Sequence, residues 1–168
     1  ISADYIYKKK NVQIINVYIP NGNPVDTEKY TYKKDWLNSF LKVIKSNLKK
    51  NQNIIIGGDF NIIPTADDVY NPKSFEDDAL FRLEIRKKFR EILNQGFNDA
   101  YRYLYPETEG YTYWDYMRGA WQKNYGMRID HFLVSNSLIK NVKDIKINKY
   151  PRGKEKPSDH TPIELVMN

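Results

Sequence analysis

The sequence contains no cysteine. A disulfide framework, a thiolate zinc site and a thiol nucleophile are therefore excluded, and the absence suits a reducing cytoplasm, where the chain is expected to reside. Histidine is nearly as scarce: His131 and His160 are the only two, so chemistry that needs imidazole has few rings to draw on. No run approaches the roughly 20 apolar residues of a membrane span, and no charged-then-apolar leader opens the chain; a soluble, unexported protein is expected. Repeats, low-complexity tracts and interdomain linkers are also missing, so the 168 residues are expected to form a single domain, 1–168. The first residue is Ile1, and Ile1 to Tyr7 already alternates like a strand. The sequence is thus expected to be the downstream portion of a longer protein.

Enough is present for a core, with 40% hydrophobic and 14% aromatic residues. Lys and Arg outnumber Asp and Glu by 27 to 21, giving a net charge of +6 and a pI near 9.2, which favours an anionic partner such as nucleic acid. The clusters Lys8-Lys9-Lys10, Lys33-Lys34, Lys49-Lys50 and Lys87-Lys88 read as helix ends and loop surface, not as a binding stripe.

Gln13 to Ile19 reads as a strand stopped by Pro20-Asn21-Gly22-Asn23-Pro24. Leu37, Leu41, Ile44 and Leu48 follow the helical period between Thr27 and Lys49, with Trp36, Phe40 and Val43 widening the stripe. Ile54-Ile55-Ile56, closed by Gly57-Gly58, has the character of a strand buried on both faces. A second helix is predicted from Asp78 to Gln95, with Leu80, Leu83, Phe89, Ile92 and Leu93 inward and Gly96 ending it. Strand-like runs follow at Tyr111–Tyr116, Arg128–Ser135, Val142–Asn148 and Pro162–Met167, and Arg152 to Ser158 is a basic loop.

Four polar constellations sit where a strand meets a loop: Tyr18 before Pro20-Asn21-Gly22, Gly58-Asp59-Phe60-Asn61, Arg128-Ile129-Asp130-His131 and Ser158-Asp159-His160. An Asp at the end of a buried strand must find donors, a metal or water, so Asp59 is either a turn cap or a site residue. Phosphodiester hydrolysis needs charge neutralisation at the phosphoryl oxygens, a hydroxide source and stabilisation of the leaving oxygen. Carboxylates with an amide oxygen suit a hard cation, Mg²⁺ or Mn²⁺. Asp130 is the candidate to orient His160 and raise its pKa; His131, its strand neighbour, faces the opposite side and reads as structural.

In this order the motifs Asn16-Val17-Tyr18-Ile19-Pro20-Asn21-Gly22, Gly57-Gly58-Asp59-Phe60-Asn61, Tyr111-Thr112-Tyr113-Trp114-Asp115-Tyr116, Arg128-Ile129-Asp130 and Ser158-Asp159-His160 resemble the exonuclease III and abasic-site endonuclease family, within the endonuclease/exonuclease/phosphatase superfamily. The resemblance implies an α+β, DNase I-like four-layer sandwich of two mixed β-sheets flanked by helices, of which this is the downstream portion. It implies an Mg²⁺-dependent DNA repair phosphodiesterase, a monomer acting on double-stranded DNA, cutting 5′ to abasic sites and removing nucleotides from 3′ ends. Asp59 would be the proton-handling carboxylate, Asn61 would hold phosphate or metal beside it, and Tyr18 would donate to the phosphate. Asp159 would belong to the metal shell, and His160, oriented by Asp130, would contact the scissile phosphate. Tyr113, Met127 and Ile129 would line a slot too small for a nucleotide carrying its base, Asn21 would contact substrate, and Asn124 would lie near DNA backbone. Trp114 reads as core, with Asp115 and Tyr116 as supports.

In the family, a strand-end Asn and a metal-binding Glu lie upstream of the segments matched here. Two other readings therefore stand beside the first: a phosphatase or RNA nuclease of the same superfamily, and a catalytically impaired DNA-binding fragment.

Overall fold

The computed structural model describes residues 1–168. Strands β1 (Ser2–Tyr7) and β2 (Lys10–Tyr18) form a hairpin. Its turn residues Lys8 and Lys9 both adopt positive φ, the backbone that a tight hairpin requires. Helix α1 (Glu28–Lys50) crosses from β2 to β3 (Ile54–Asp59), which pairs parallel to β2. Helix α2 (Leu83–Leu93) precedes the short strand β4 (Phe97–Asp99) and helix α3 (Ala100–Leu104). The strand pair β5 (Tyr113–Trp114) and β6 (Gly126–Met127) is followed by β7 (Asp130–Ser135), then by the antiparallel pair β8 (Val142–Ile147) and β9 (Ile163–Met167). The main sheet has the order β1-β2-β3-β7-β4, mixed in direction.

Alternation along the central strands divides the core. Ile15, Val17, Ile54, Ile56 and Leu133 face α1 and α2 through Leu37, Phe40, Ile44, Ile85, Phe89 and Ile92. Ile55 and Val134 point to the other face, against α3 and the β8–β9 pair through Tyr101, Val142 and Ile145. Strand β3 is buried on both sides, as its unbroken Ile run predicts. A third cluster, Ile63, Val69, Leu80, Phe81, Met127 and Ile129, supports the loops at the strand ends.

Several elements differ from expectation. The second helix begins at Leu83, five residues later than Asp78, because Asp78 folds a turn: its carboxylate accepts from Leu80 N and its carbonyl from the Phe81 and Arg82 amides. Leu83 is consequently exposed, and Ile85 takes the inward position. Val43 is half exposed, outside the buried stripe of α1. The Tyr111–Tyr116 run pairs only at Tyr113 and Trp114, and Arg128–Ile129 lies between two separate strands. Gly96, at φ +109, ends the α2 segment as expected.

His131 is structural. Its ring is buried, with Nε2 donating to the Ile62 carbonyl at 2.9 Å and Nδ1 accepting from Arg128 at 3.0 Å. Burial, reinforced by the neighbouring Arg128 charge, pushes its pKa down to about 4. An unfolded histidine binds its proton near 6.5, so between pH 6.5 and 4 only the unfolded state is protonated and folding stability falls as pH falls. Wild type is expected to lose about 3 kcal/mol relative to His131→Gln between pH 7.5 and pH 4. Urea unfolding of both proteins across that range measures it; parallel stability curves would show that the ring carries a proton when folded.

Candidate functional site

The parallel register of β2 and β3 sets Tyr18 beside Asp59, and the antiparallel register of β3 and β7 sets Asp59 beside Asp130. Gly58 makes the approach possible: at φ +135, a Cβ there would lie 2.0 Å from the Val17 carbonyl oxygen. His160 arrives from the far end of the chain through a bridge to Tyr113. These strand ends open on a cavity of about 820 Å³ whose walls include Tyr18, Asn21, Asp59, Asn61, Asp159 and His160.

Asp130 Oδ2 accepts from His160 Nδ1 at 2.9 Å, leaving Nε2 directed at Asp59, 4.0 Å from its Oδ2. Burial alone would lower the His160 pKa, but the hydrogen bond and charge of Asp130, with Asp59 and Asp159 behind it, outweigh that and raise it. For Asp59, burial pushes the carboxyl up to about 6, the Asp130 charge adds to the shift, and the Asn61 amide, His160 and Lys33 pull it back.

Asn61 sits in left-handed backbone, at φ +49. In that conformation its backbone N donates to Asp59 Oδ1 at 2.8 Å while its side-chain nitrogen donates to Asp59 Oδ2 at 2.9 Å and to the Ile19 carbonyl. Its side-chain oxygen accepts from Asn21 at 3.1 Å. Asp59 is therefore a turn cap and a cavity group at once.

Of the residues singled out in the sequence, Tyr113, Met127 and Ile129 line the same cavity. Trp114 is fully buried, and Tyr116 reaches the Pro157 carbonyl at 2.8 Å. Asn124 lies outside the cavity lining, its amide accepting from Trp114 Nε1 at 3.1 Å and donating to Glu109 at 2.7 Å.

Lys33 is the residue missed. It belongs to a pair read as helix surface, yet it is fully buried. Its ammonium donates to the carbonyls of Asn21 at 2.9 Å and Asn61 at 2.6 Å, and Gly22 leaves room for its stem, since a Cβ there would lie 2.6 Å from Lys33 Cδ. Burial lowers its pKa to about 7 against the opposing pull of Asp78 and Asp59. The only available signal was spacing: Lys33 lies one helical turn before Leu37 on the inward stripe.

Oxygen donors suited to a hard cation reach the cavity from Asp59, Asn61 and Asp159. Both Asp59 oxygens already accept from Asn61, and no group of three or more His, Asp or Glu side chains is placed to hold a metal ion.

Lys33→Met is expected to destabilise the fold by about 2 kcal/mol or more, because two loop carbonyls lose their buried donor. Chemical denaturation measures the loss; a variant as stable as wild type would mean that water or another group serves those carbonyls equally well.

Residues 3–160 match the endonuclease/exonuclease/phosphatase family model. The chain is similar to an exodeoxyribonuclease of Bacillus subtilis, 36% identical over 95% of this chain and 61% of the relative. It is also similar to a DNA-(apurinic or apyrimidinic site) endonuclease of Dictyostelium discoideum, 37% identical over 92% of this chain and 42% of the relative. Among solved structures, the 3′ phosphatase NExo from Neisseria, bound to a product DNA hairpin, superposes with TM-score 0.91 at 32% identity, covering 94% of this chain and 61% of that one. An AP endonuclease from Archaeoglobus fulgidus gives TM-score 0.91 at 30% identity, covering 99% and 65%. The chain thus spans less than two thirds of these relatives and carries a DNase I-like architecture. With its motifs converging on one cavity and the family model matched along most of its length, the chain belongs to the endonuclease/exonuclease/phosphatase family.

Proposed function

We propose that this chain is the downstream catalytic portion of a Mg²⁺- or Mn²⁺-dependent DNA repair phosphodiesterase that cuts 5′ to abasic sites and removes nucleotides from 3′ ends of double-stranded DNA. The observation that carries the reading is the convergence of Asp59, Asn61 and His160 on one cavity, with Asp130 behind the imidazole. The similarity to an exodeoxyribonuclease and an abasic-site endonuclease supports it, as does the net charge of +6.

Asp130 fixes the His160 tautomer and keeps the ring cationic to higher pH, so Nε2 serves as a charged donor to a phosphoryl oxygen. Asp59, with its carboxyl raised to about 6, is suited to handle a proton near neutrality. The Tyr18 hydroxyl, exposed at the cavity mouth, is available to the phosphate. A divalent cation would be held by Asp159 and Asn61 together with the upstream Glu that the family supplies; when bound it neutralises phosphoryl charge and lowers the pKa of its water.

A second reading is favoured by one observation. The likeness to a 3′ phosphatase fits removal of a terminal phosphate.

In protein that includes the upstream part, Asp59→Asn or His160→Ala is expected to lower cleavage of an abasic-site duplex at least about 10²- to 10³-fold, and EDTA is expected to abolish it. Retained activity in both variants would remove the site assignment. Faster release of phosphate from a 3′-phosphorylated end would select the second reading, and salt-dependent DNA binding without turnover would select an impaired binding fragment.

Replacing both Lys154 and Lys156, on the exposed loop before Ser158, is expected to weaken DNA binding modestly and flatten its salt dependence by about two phosphate contacts. An unaltered slope in a salt titration would make the loop ordinary solvated surface.

A further inference from the structure

Two tyrosines that the proposed chemistry leaves unused line the same cavity. Tyr70 follows the 3₁₀ turn Ala66–Asp68, and Tyr125 immediately precedes β6. Their rings lie 4.5 Å apart and within 10° of parallel. The backbone enforces the stack: Tyr70 N donates to the Gly126 carbonyl at 3.1 Å, and Val69 bridges Met127. Behind it, Phe75 packs on Tyr70 at 5.9 Å in an edge arrangement.

Core packing does not account for the pair. Tyr70 is 38% exposed and Tyr125 43% exposed, and neither hydroxyl has a hydrogen-bond partner within the chain, so two large rings are held toward solvent on the wall of the cavity that holds Asp59 and His160. Since Tyr70 covers one face of Tyr125, the Lys123 ammonium, 5.7 Å from the ring centre, lies over the other. That face is covered by an exposed, solvated lysine side chain. Base–aromatic stacking is stronger than a cation–π contact at an exposed site, so a nucleobase would displace Lys123 and leave its ammonium free for a backbone phosphate. Arg118, held at φ +59 on the cavity wall, supplies a second cation nearby.

We propose that the Tyr70–Tyr125 stack is a platform for an unpaired nucleobase beside the scissile phosphate, so that the site engages frayed or mispaired 3′-terminal nucleotides through their bases. This rests on the reading of the site as a DNA phosphodiesterase and adds the substrate feature it selects. Both rings line the same cavity as Asp59 and His160, which agrees with it.

The test uses protein that includes the upstream part, in EDTA, with fluorescence anisotropy on two duplexes. One ends in a mispaired 3′ nucleotide, the other in the same end with a base-less sugar. Wild type is expected to prefer the base-bearing end about 5- to 150-fold. Tyr125→Leu and Tyr70→Leu are each expected to bring that ratio close to one, whereas Tyr125→Phe, which keeps the aromatic face, is expected to preserve it. A ratio unchanged in both leucine variants, or a wild type without preference, overturns the platform. Cleavage of an abasic duplex in Mg²⁺ by the same wild-type preparation tests the nuclease reading separately: DNA bound with the preference but never cut would overturn that reading and keep the platform.

Discussion

The arrangement of the site depends on one buried guanidinium. Arg128 donates from Nε to Asp68 at 2.7 Å and from its two terminal nitrogens to Asp99 at 3.0 and 2.7 Å, while its backbone N donates to the Asp68 carbonyl at 2.8 Å. Arg102 closes the group with a second bond to Asp68. Burial would raise the Asp68 pKa, yet the two arginines hold it down at about 2. Buried charges persist only when paired and hydrogen-bonded, and here the pairing ties together the turn at Asp68, the start of α3 at Asp99 and the segment entering β7. That segment carries Ile129 and Asp130, so a network with no contact to the cavity sets the height at which the histidine's partner emerges.

The cavity itself is organised around repulsion. Asp59 and Asp130 are register partners on adjacent strands, and two carboxylates at that spacing disfavour full ionisation. His160 relieves the conflict by binding one carboxylate directly and facing the other at 4.0 Å, while Lys33 adds positive charge from beneath. The same groups that make the cluster tolerable in the fold give it a cationic donor and a carboxyl of raised pKa side by side, the pairing that acid–base chemistry on a phosphate uses.

Much of this was legible where chemistry is local. The Ile54–Ile56 run announces a strand buried on both faces, and Gly57-Gly58-Asp59 announces its end. The pairing of Asp130 with His160 could be anticipated from the motifs, and the structural fate of His131 followed from strand alternation. What escaped depends on contacts distant in sequence. Lys33 looks like its exposed neighbour Lys34 until the carbonyls of Asn21 and Asn61 are brought over it. Strand β4 has three residues, too few for a period, and exists because β7 offers a ladder. The start of α2 was misplaced since Asp78 caps a turn of its own. The cavity's width is set by loops around Tyr70, Met117 and Tyr125, whose closeness no spacing in the sequence encodes.

Backbone conformations that side chains rarely adopt cluster around this cavity: Gly22, Gly58, Asn61, Arg118 and Asn124 all have positive φ. Each non-glycine residue there costs on the order of 1 kcal/mol, and the cost is offset locally. Asn61 recovers it through four hydrogen bonds that involve its own amide and side chain, and Asn124 through Trp114 and Glu109. Arg118 has no such compensation from its side chain, which remains on the cavity wall. Strain that is repaid by hydrogen bonds within the protein serves the fold; at Arg118 no side-chain hydrogen bond repays it, and the strained backbone leaves the guanidinium on the cavity wall.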